Sequence, residues 1–422
     1  MIHVGIVGLG FVGLTLSAHL TKNSCCKVFG FEIDMAKANA ISSGNSTFYE
    51  PGLTLLLEKS IGKNLFINDE TAELDCIFIT VGTPIDKQTS QPNLTYVRDS
   101  VSHIVHKLKT NGIIYLRSTV SSGVTAEIQH YVCEVGRSDV GVCFAPERTV
   151  EGDALSELEH LPQIYGAPSK FEKEAKSLLL RLGFKLINAE SPENAEFAKL
   201  LSNTYRDMEF SMANLFAMMC SEQGCDYEHI RKISTEGYDR NKLKKAGFVS
   251  GPCLSKDAFI MKSRSNDPDL GRLITFGRTI EQKMIQKCIE TLKRIPLDKF
   301  IFTGIAFKGQ PATSDIRDSS VLPIIKEISV DYKNVWLHDY FVSQADLLML
   351  SDKVLTEEQL FDVNWGDTCL FIGNNNDRYL DTEFLNFIGR FLANGNFVYD
   401  SWGILDLKHK NLVTLTRDYN GF

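Results

Sequence analysis

Residues Ile2–Val7 form a short apolar run, and Gly8-Leu9-Gly10-Phe11-Val12-Gly13 follows at once. Such a run suits a strand buried on both faces of a sheet. Glycines at this spacing let the chain turn tightly into a helix and bring its backbone against a pyrophosphate at the helix N-terminus. The glycine pattern alone is a weak signal. Its place after a strand and before a helix gives it weight. Glu32 stands 22 residues beyond Gly10, at the end of a second apolar run, 27–31. An acid there accepts hydrogen bonds from adenosine ribose hydroxyls and repels a 2′-phosphate. The pattern predicts NAD rather than NADP, held by Gly8, Gly10, Phe11, Val12, Gly13 and Glu32.

Further apolar runs fall at Leu65–Ile67, 76–81, 112–116 and Gly141–Phe144, separated by turn residues or helical patterns. This βαβ rhythm predicts a parallel, doubly wound sheet. At Ser191-Pro192-Glu193 the texture changes, because Ser can cap a helix and Pro suits its first position. No Pro or Gly interrupts the chain from there to Gly224. About 30 helical residues is long for a globular helix and suits a domain bridge or a dimer interface. Helical patterns continue over 226–295, broken by a Gly/Pro loop at 247–252. Strand texture returns at 300–304, 335–338, 368–373 and 397–399. The expected fold class is α/β, with two Rossmann-like doubly wound domains joined by a long-helix central domain suited to dimerisation. The expected parts are 1–190, 191–298 and 299–422. The last lacks a glycine turn, so it is expected to bind a different molecule.

Composition narrows the function classes. The chain has 422 residues, 43% of them hydrophobic and 23% charged, as in an ordinary globular protein. Its 45 basic and 53 acidic residues leave a net charge of −8. That is no electrostatic footprint for nucleic acid or an anionic membrane. No apolar run reaches the roughly 18 residues of a membrane helix. The start enters a strand with no charged n-region, so no signal peptide is expected and the cytoplasm is. Ten cysteines without a C-x-x-C pair argue against a disulfide scaffold and against metal. They read as reduced thiols, mostly buried.

Three stretches carry candidate chemistry. The loop Gly247-Phe248-Val249-Ser250-Gly251-Pro252-Cys253-Leu254-Ser255-Lys256-Asp257 puts a cysteine after a Gly-Pro turn. A thiol at a helix start is expected to favour thiolate, with Asp257 one helical turn further on the same face. A buried cysteine near a solvated Lys-Asp pair is an equal reading of this loop. On the long helix, Lys199, Asn203 and Arg206 are expected on one face, suited to an oxyanion or simply to solvent. The third stretch, Pro146-Glu147-Arg148-Thr149-Val150-Glu151-Gly152, follows a strand, where ligands bind in such sheets. Its two carboxylates suit general-base and substrate roles, or an ordinary charged loop.

Taken in order, these stretches resemble the UDP-glucose/GDP-mannose dehydrogenase family. The matching parts are Gly8 to Gly13; Thr80-Val81-Gly82-Thr83-Pro84; Ser118-Thr119-Val120; Pro146-Glu147 with Glu151-Gly152; Lys199-x-x-x-Asn203; Gly251 to Asp257; and Gly304-Ile305-Ala306-Phe307-Lys308 with Asp315-Ile316-Arg317. The resemblance implies an NAD domain, a helical dimerisation core and a C-terminal UDP domain. It implies four-electron oxidation of the C6 alcohol of a nucleotide sugar to a carboxylate, with two NAD and a cysteine-bound intermediate. By resemblance, Cys253 is the nucleophile and Lys199 and Asn203 steady the oxyanion. Asp257 and Thr119 handle water and protons, and Glu147 takes part in thioester hydrolysis. Lys37, Thr83, Pro84, Thr119 and Arg317 join the NAD contacts. Glu147, Arg148, Glu151, Lys199, Asn203, Arg206, Gly251, Phe307 and Lys308 are the expected substrate contacts. The implied partners are a UDP-sugar and a second copy of the chain through the central helix, with no nucleic acid, membrane or metal. A cell-surface polysaccharide is the implied destination of the product.

The sugar is less sharply marked. Glu147-Arg148 and Arg206-Asp207 resemble members acting on N-acetylhexosamines, while Glu151-Gly152 and Lys256-Asp257 resemble glucose-type members. The balance favours UDP-GlcNAc or UDP-ManNAc, with UDP-glucose as the alternative. A two-electron hydroxyacid-type dehydrogenase shares Lys-x-x-x-Asn on a long helix but needs no cysteine. A non-catalytic NAD-binding protein would not need every catalytic position filled.

Overall fold

The computed structural model describes residues 1–86, 91–362, 364–405, 407 and 409–415. The chain divides into two compact units. One is Met1–Asn203 with Lys256–Pro268, the other Thr204–Ser255 with Asp269–Phe422. The C-terminal expectation, 299–422, runs past the last described residue.

The first unit holds a six-stranded parallel sheet. Its strands are β1 (Ile2–Val7), β2 (Cys26–Phe31), β3 (Leu65–Ile67), β4 (Leu74–Ile79), β5 (Leu108–Leu116) and β6 (Gly141–Phe144), in the order β3-β2-β1-β4-β5-β6. This is the Rossmann order, and it reverses between β1 and β4, where such sheets bind ligands. Side chains alternate between two cores. Cys76, Phe78, Ile113 and Tyr115 enter one, while Ile77, Ile79, Ile114 and Leu116 enter the other. A strand covered on both faces by apolar layers must be apolar throughout, which is why these runs were legible. Two details differ from the sequence pattern. The fourth strand ends at Ile79 rather than 81, because Thr80 turns and donates its hydroxyl to the carbonyls of Val7 (2.8 Å) and Gly8 (2.7 Å). The fifth begins at Leu108, earlier than 112, through the polar stretch Lys109-Thr110-Asn111 that hides its start. A short parallel pair, β7 (Gln163–Tyr165) and β8 (Leu186–Asn188), lies outside this sheet. At three residues each, these strands leave no periodicity to read.

The second unit holds a five-stranded parallel sheet: β9 (Lys299–Thr303), β10 (Asn334–His338), β11 (Thr368–Ile372), β12 (Phe397–Asp400) and β13 (Leu412–Thr414). Its order is β10-β9-β11-β12-β13. Counted within the unit this is 2-1-3-4-5, the flavodoxin-like doubly wound order rather than that of the first sheet. Phe300, Phe302, Cys369 and Phe371 face one core, and Ile301, Leu370 and Ile372 the other.

The long helix spans Pro192–Glu222, 31 residues, as its uninterrupted sequence predicts, and the division between units falls within it. Among the described residues no helix is long and apolar enough to cross a membrane.

Candidate active site

In the first unit the glycine turn has the geometry its spacing implies. Gly8 has φ +88°, a left-handed conformation that glycine adopts without strain. A Cβ on Gly13 would lie 1.9 Å from the Gly8 carbonyl oxygen and 2.6 Å from Thr80 Oγ1, so helix and strand can meet only over a glycine. A Cβ on Gly10 would meet no protein atom within 4 Å. Gly10 caps the helix Phe11–Leu20, whose first turn carries no acid. The exposed backbone therefore presents N–H groups and the positive end of the helix dipole, as a pyrophosphate requires. Glu32 accepts the backbone N–H of Leu9 at 2.9 Å and of Asp34 at 3.0 Å, which fixes its carboxylate beside the turn. Lys37 is exposed on the next helix, 3.8 Å from Asp34. These residues fit NAD.

The loops after β4, β5 and β6 are tied to one another. Ser118 donates its hydroxyl to the Val81 carbonyl (2.6 Å), and the buried Thr83 hydroxyl donates to the Thr119 carbonyl (2.7 Å). Pro84 is exposed beside them. Lys256 Nζ lies 3.5 Å from Thr83 Oγ1 and donates to Asp257 Oδ1 at 2.9 Å. Asn203 Nδ2 donates to the other oxygen of Asp257 at 2.7 Å. Asp257, 1% exposed, thus joins Asn203, Lys256 and the Thr83–Thr119 loops in one polar network. Lys199 is half-buried one helical turn before Asn203 and has no hydrogen bond or ion pair among the described residues. Its ammonium is left for a ligand or water.

Glu147 lies in a different setting from that network. One oxygen accepts Arg117 Nε (2.9 Å) and Nη2 (2.8 Å), and the other accepts the backbone N–H groups of Arg148 (2.7 Å) and Thr149 (2.8 Å). Burial alone would push this carboxyl up; the Arg117 charge and the four donors outweigh it and hold Glu147 below the usual carboxylate range. Arg148 is exposed and reaches the Pro162 carbonyl (3.2 Å), and Glu151 is half-buried.

In the second unit Cys253 is exposed and forms no disulfide. The expected helix start is not where the sequence put it. The helix runs Asp257–Lys262, so Cys253 lies in the preceding turn, and Asp257 is not one helical turn from it on a shared face. The Gly-Pro turn holds the chain out of helix for four more residues than the loop suggests. Gly251 has φ +98°, and a Cβ there would lie 2.4 Å from the Phe307 ring. Lys308 follows, its Nζ 5.6 Å from that ring's centroid. The segment they occupy is fixed by Asp339, which accepts the N–H groups of Ile305 (2.7 Å) and Ala306 (3.0 Å). Arg317 is exposed and folded onto Asp315 of its own loop.

Arg206 is exposed, whereas its neighbour Asp207 is 1% exposed and paired with Arg278. The polar stripe from Lys199 and Asn203 continues through Asp207. Five of the ten cysteines are buried: Cys26, Cys76, Cys143, Cys288 and Cys369. Burial pushes their thiols up, Cys26 to about 11, so they are inert at neutral pH. Among the described residues no group of three His, Cys, Asp or Glu is placed to hold a metal ion.

Three residues of this site were not singled out from sequence. Lys256 was visible beside Asp257 but read only as part of a motif. Arg117 announces itself only as a charge at the end of an apolar strand. Glu196, on the long helix, accepts the N–H groups of Gly123 (2.7 Å) and Thr125 (2.8 Å), capping the helix Val124–Glu134 from 71 residues away. No local signal marks it.

Comparison with known proteins gives the following. Residues 2–181 match the NAD binding domain of the UDP-glucose/GDP-mannose dehydrogenase family, and residues 193–281 match that family's central domain. A UDP-N-acetyl-D-mannosamine dehydrogenase of Methanococcus vannielii is 29% identical over 346 residues, covering 79% of this chain and 78% of that protein. A solved UDP-D-ManNAc dehydrogenase from Pyrococcus horikoshii superposes with a TM-score of 0.84 at 21% identity, covering 99% of this chain and all of that one (100%). A UDP-glucose dehydrogenase from Pyrobaculum islandicum gives 0.81 at 21% identity, over 98% of this chain and 97% of that one. The two structures share the fold and do not separate the sugars.

Proposed function

This chain belongs to the UDP-glucose/GDP-mannose dehydrogenase family, and from that premise we propose that it oxidises the C6 hydroxyl of a UDP-N-acetylhexosamine to the carboxylate, through a thioester on Cys253. The observation that carries this reading is an exposed thiol on a firmly held loop, in a chain that also bears a complete dinucleotide turn. NAD, when bound, accepts a hydride in each of the two oxidations. The residues do the rest. Removal of the C6 hydroxyl proton and hydride leaves an aldehyde, and the ammonium of Lys199 and the amide of Asn203 suit the oxygen on which charge develops. The Cys253 thiolate then bonds to the aldehyde carbon, and the carbonyl electron pair moves to oxygen. When the second hydride leaves that carbon, the pair returns and a thioester remains. Water adds to the thioester, the C–S bond breaks, and the thiolate is regenerated with the carboxylate. Asp257, held by Asn203 and Lys256, is the group we assign to the protons of these steps, with Thr119 orienting water. Glu147, its four hydrogen bonds already made, serves by holding its loop.

The names of the relatives favour UDP-N-acetylmannosamine as the sugar. Glu151-Gly152 and Lys256-Asp257 are what support UDP-glucose as the second reading. We infer a homodimer through the long helix. That helix buries Glu196, Thr204, Asp207, Ser211 and Asn214 and exposes Phe197, Leu201, Tyr205, Met208, Met212 and Met219. An apolar stripe at helical spacing, turned to solvent, suits a second copy. The three parts 1–190, 191–298 and 299–422 are our proposed domains, the first two supported by the family matches. A nucleophile that must stay reduced suits the cytoplasm.

The test is a panel of UDP-ManNAc, UDP-GlcNAc, UDP-glucose and GDP-mannose with NAD, read by NADH absorbance. We expect two NADH per UDP-N-acetylhexosamine, and none net from Cys253→Ser with its NAD affinity intact. One NADH per sugar, or full activity in Cys253→Ser, overturns the mechanism; preference for UDP-glucose overturns the sugar.

A further inference from the structure

The loop that carries Cys253 is held from beneath by buried side chains of its own unit. Gly247 is gripped at both ends of its backbone: Asn214 Oδ1 accepts its N–H at 2.9 Å, and Asn214 Nδ2 donates to its carbonyl at 2.8 Å. The peptide groups of Val249 are treated alike. Glu281 Oε2 accepts the N–H at 2.9 Å, and Arg278 Nη1 donates to the carbonyl at 3.0 Å. Both come from the helix Phe276–Arg294. Ser250 Oγ lies 2.5 Å from Ser320 Oγ and accepts the Ser320 N–H at 3.0 Å. Ser320 Oγ in turn donates to Glu281. Since that bond uses the Ser320 hydroxyl proton, Ser250 is the donor between the two hydroxyls, and the chain runs Ser250 to Ser320 to the Glu281 carboxylate. Beyond it, the Asp318 carbonyl accepts the Gly251 N–H at 3.2 Å, and the Asp318 carboxylate accepts Ser255 Oγ at 3.1 Å. The anchors thus fall on both sides of Cys253.

The chemistry of these anchors is not what fold stability alone selects. Glu281 is 6% exposed, Ser320 5% and Asp207 1%. Burial pushes both carboxyls up, opposed by the Arg278 charge. One Asp207 oxygen and Arg278 Nε make no hydrogen bond among the described residues, so the pair is left imperfect. Buried ion pairs contribute little net stability compared with apolar residues of the same volume. What they provide is a fixed position for the peptide they bind. A loop held at Gly247, Val249, Ser250, Gly251 and Ser255 has few conformations left for its thiol.

We propose that Glu281, Ser320 and the Asp207–Arg278 pair are positioning residues that fix the Cys253 loop for attack on the aldehyde. The proposal rests on Cys253 being the nucleophile. It follows that loosening the anchors spares the first oxidation, which needs no thiol, and slows the second. In that second step the sulfur–carbon bond must form before a hydride can leave the same carbon.

Ser320→Ala is the decisive variant, because it removes one hydroxyl and adds no bulk. The enzyme is assayed with its UDP-sugar and NAD in the presence of hydroxylamine, which captures free aldehyde. We expect kcat to fall by about tenfold or more, as misplacement of a reacting group does. KM for the sugar should stay within about twofold, the aldehyde should become trappable, and NADH per sugar should drop from two towards one. Iodoacetamide labelling of Cys253 should change in rate. Glu281→Gln keeps an acceptor for the Val249 N–H and should lose less than Glu281→Ala. If Ser320→Ala slows both oxidations equally, or changes neither kinetics nor labelling, the positioning role is overturned. That outcome is distinct from failure of the functional reading, in which the wild-type enzyme itself would not yield two NADH per sugar.

Discussion

At Gly10 and Gly13 the same residue type serves two physical ends. Gly13 is required by the protein: a Cβ there would overlap the Gly8 carbonyl at 1.9 Å. Gly10 is not required by the protein itself, since its Cβ would meet no atom beyond its chain neighbours within 4 Å; we propose that the NAD pyrophosphate requires it. The two alanine variants should therefore fail differently. Gly13→Ala should be destabilised whether or not NAD is present. Gly10→Ala should melt within about 1 kcal/mol of wild type, as exchanges between glycine and alanine at a helix cap do. It should, however, lose the roughly 2.7 kcal/mol of stabilisation that a ligand at 100 times its Kd confers. Melting curves with and without NAD check this, and equal NAD stabilisation of Gly10→Ala and wild type would count against the pyrophosphate assignment. Both glycines were legible in sequence, because a turn between strand and helix is local. The partners of Asp257 were not, since Asn203 lies 54 residues away and only burial of the network brings them together.

Between elements, the Arg117–Glu147 pair joins the ends of β5 and β6, with the Arg117 side chain 1% and the Glu147 side chain 9% exposed. Removing one member of a buried pair strands the other. Arg117→Met should cost about 3–5 kcal/mol, read as the loss in denaturant midpoint at constant slope. The pH dependence has a definite sign. Glu147 titrates lower when folded than unfolded, so its contribution is complete above the unfolded value of about 4.3. It is lost as pH falls through the depressed folded value, because the unfolded chain then binds the proton more readily. Arg117→Met should accordingly lack part of the wild type's loss of stability in that acid range. A loss as steep as that of the wild type would show that the pair is not its source. The extent of β5 was hidden for a related reason. Lys109, Thr110 and Asn111 are polar enough to read as a turn, yet they lie in a nine-residue strand.

For the whole molecule, the long helix is the interface we propose for the assembly. It buries Glu196, Thr204, Asp207, Ser211 and Asn214 alongside Ala195, Leu200, Ala213 and Ala217, and it turns a stripe of large apolar side chains to solvent. Wild type should be a dimer by light scattering at micromolar concentration, and a double variant Met208→Glu, Met212→Glu should be monomeric with its far-UV spectrum unchanged. A monomeric wild type, or a double variant that remains dimeric, removes the helix as the interface.

The sequence by itself determined the class of fold and the dinucleotide turn, while Cys253 is singled out as the proposed nucleophile by the resemblance to the family rather than by its loop alone. The first two rest on signals within a few residues: strands buried on both faces that must be apolar throughout, and a glycine spacing. Tertiary structure alone decided the strand order of the second sheet and which of Arg206 and Asp207 turns inward. It also decided that Glu147 is locked to Arg117, and what lies beneath Cys253. Ser250 and Ser320 are 70 residues apart and Gly123 and Glu196 are 73. No pattern in the chain pairs them. They meet because two layers of apolar side chains fix where the strands and helices end, and polar groups buried at those ends take the partners within reach.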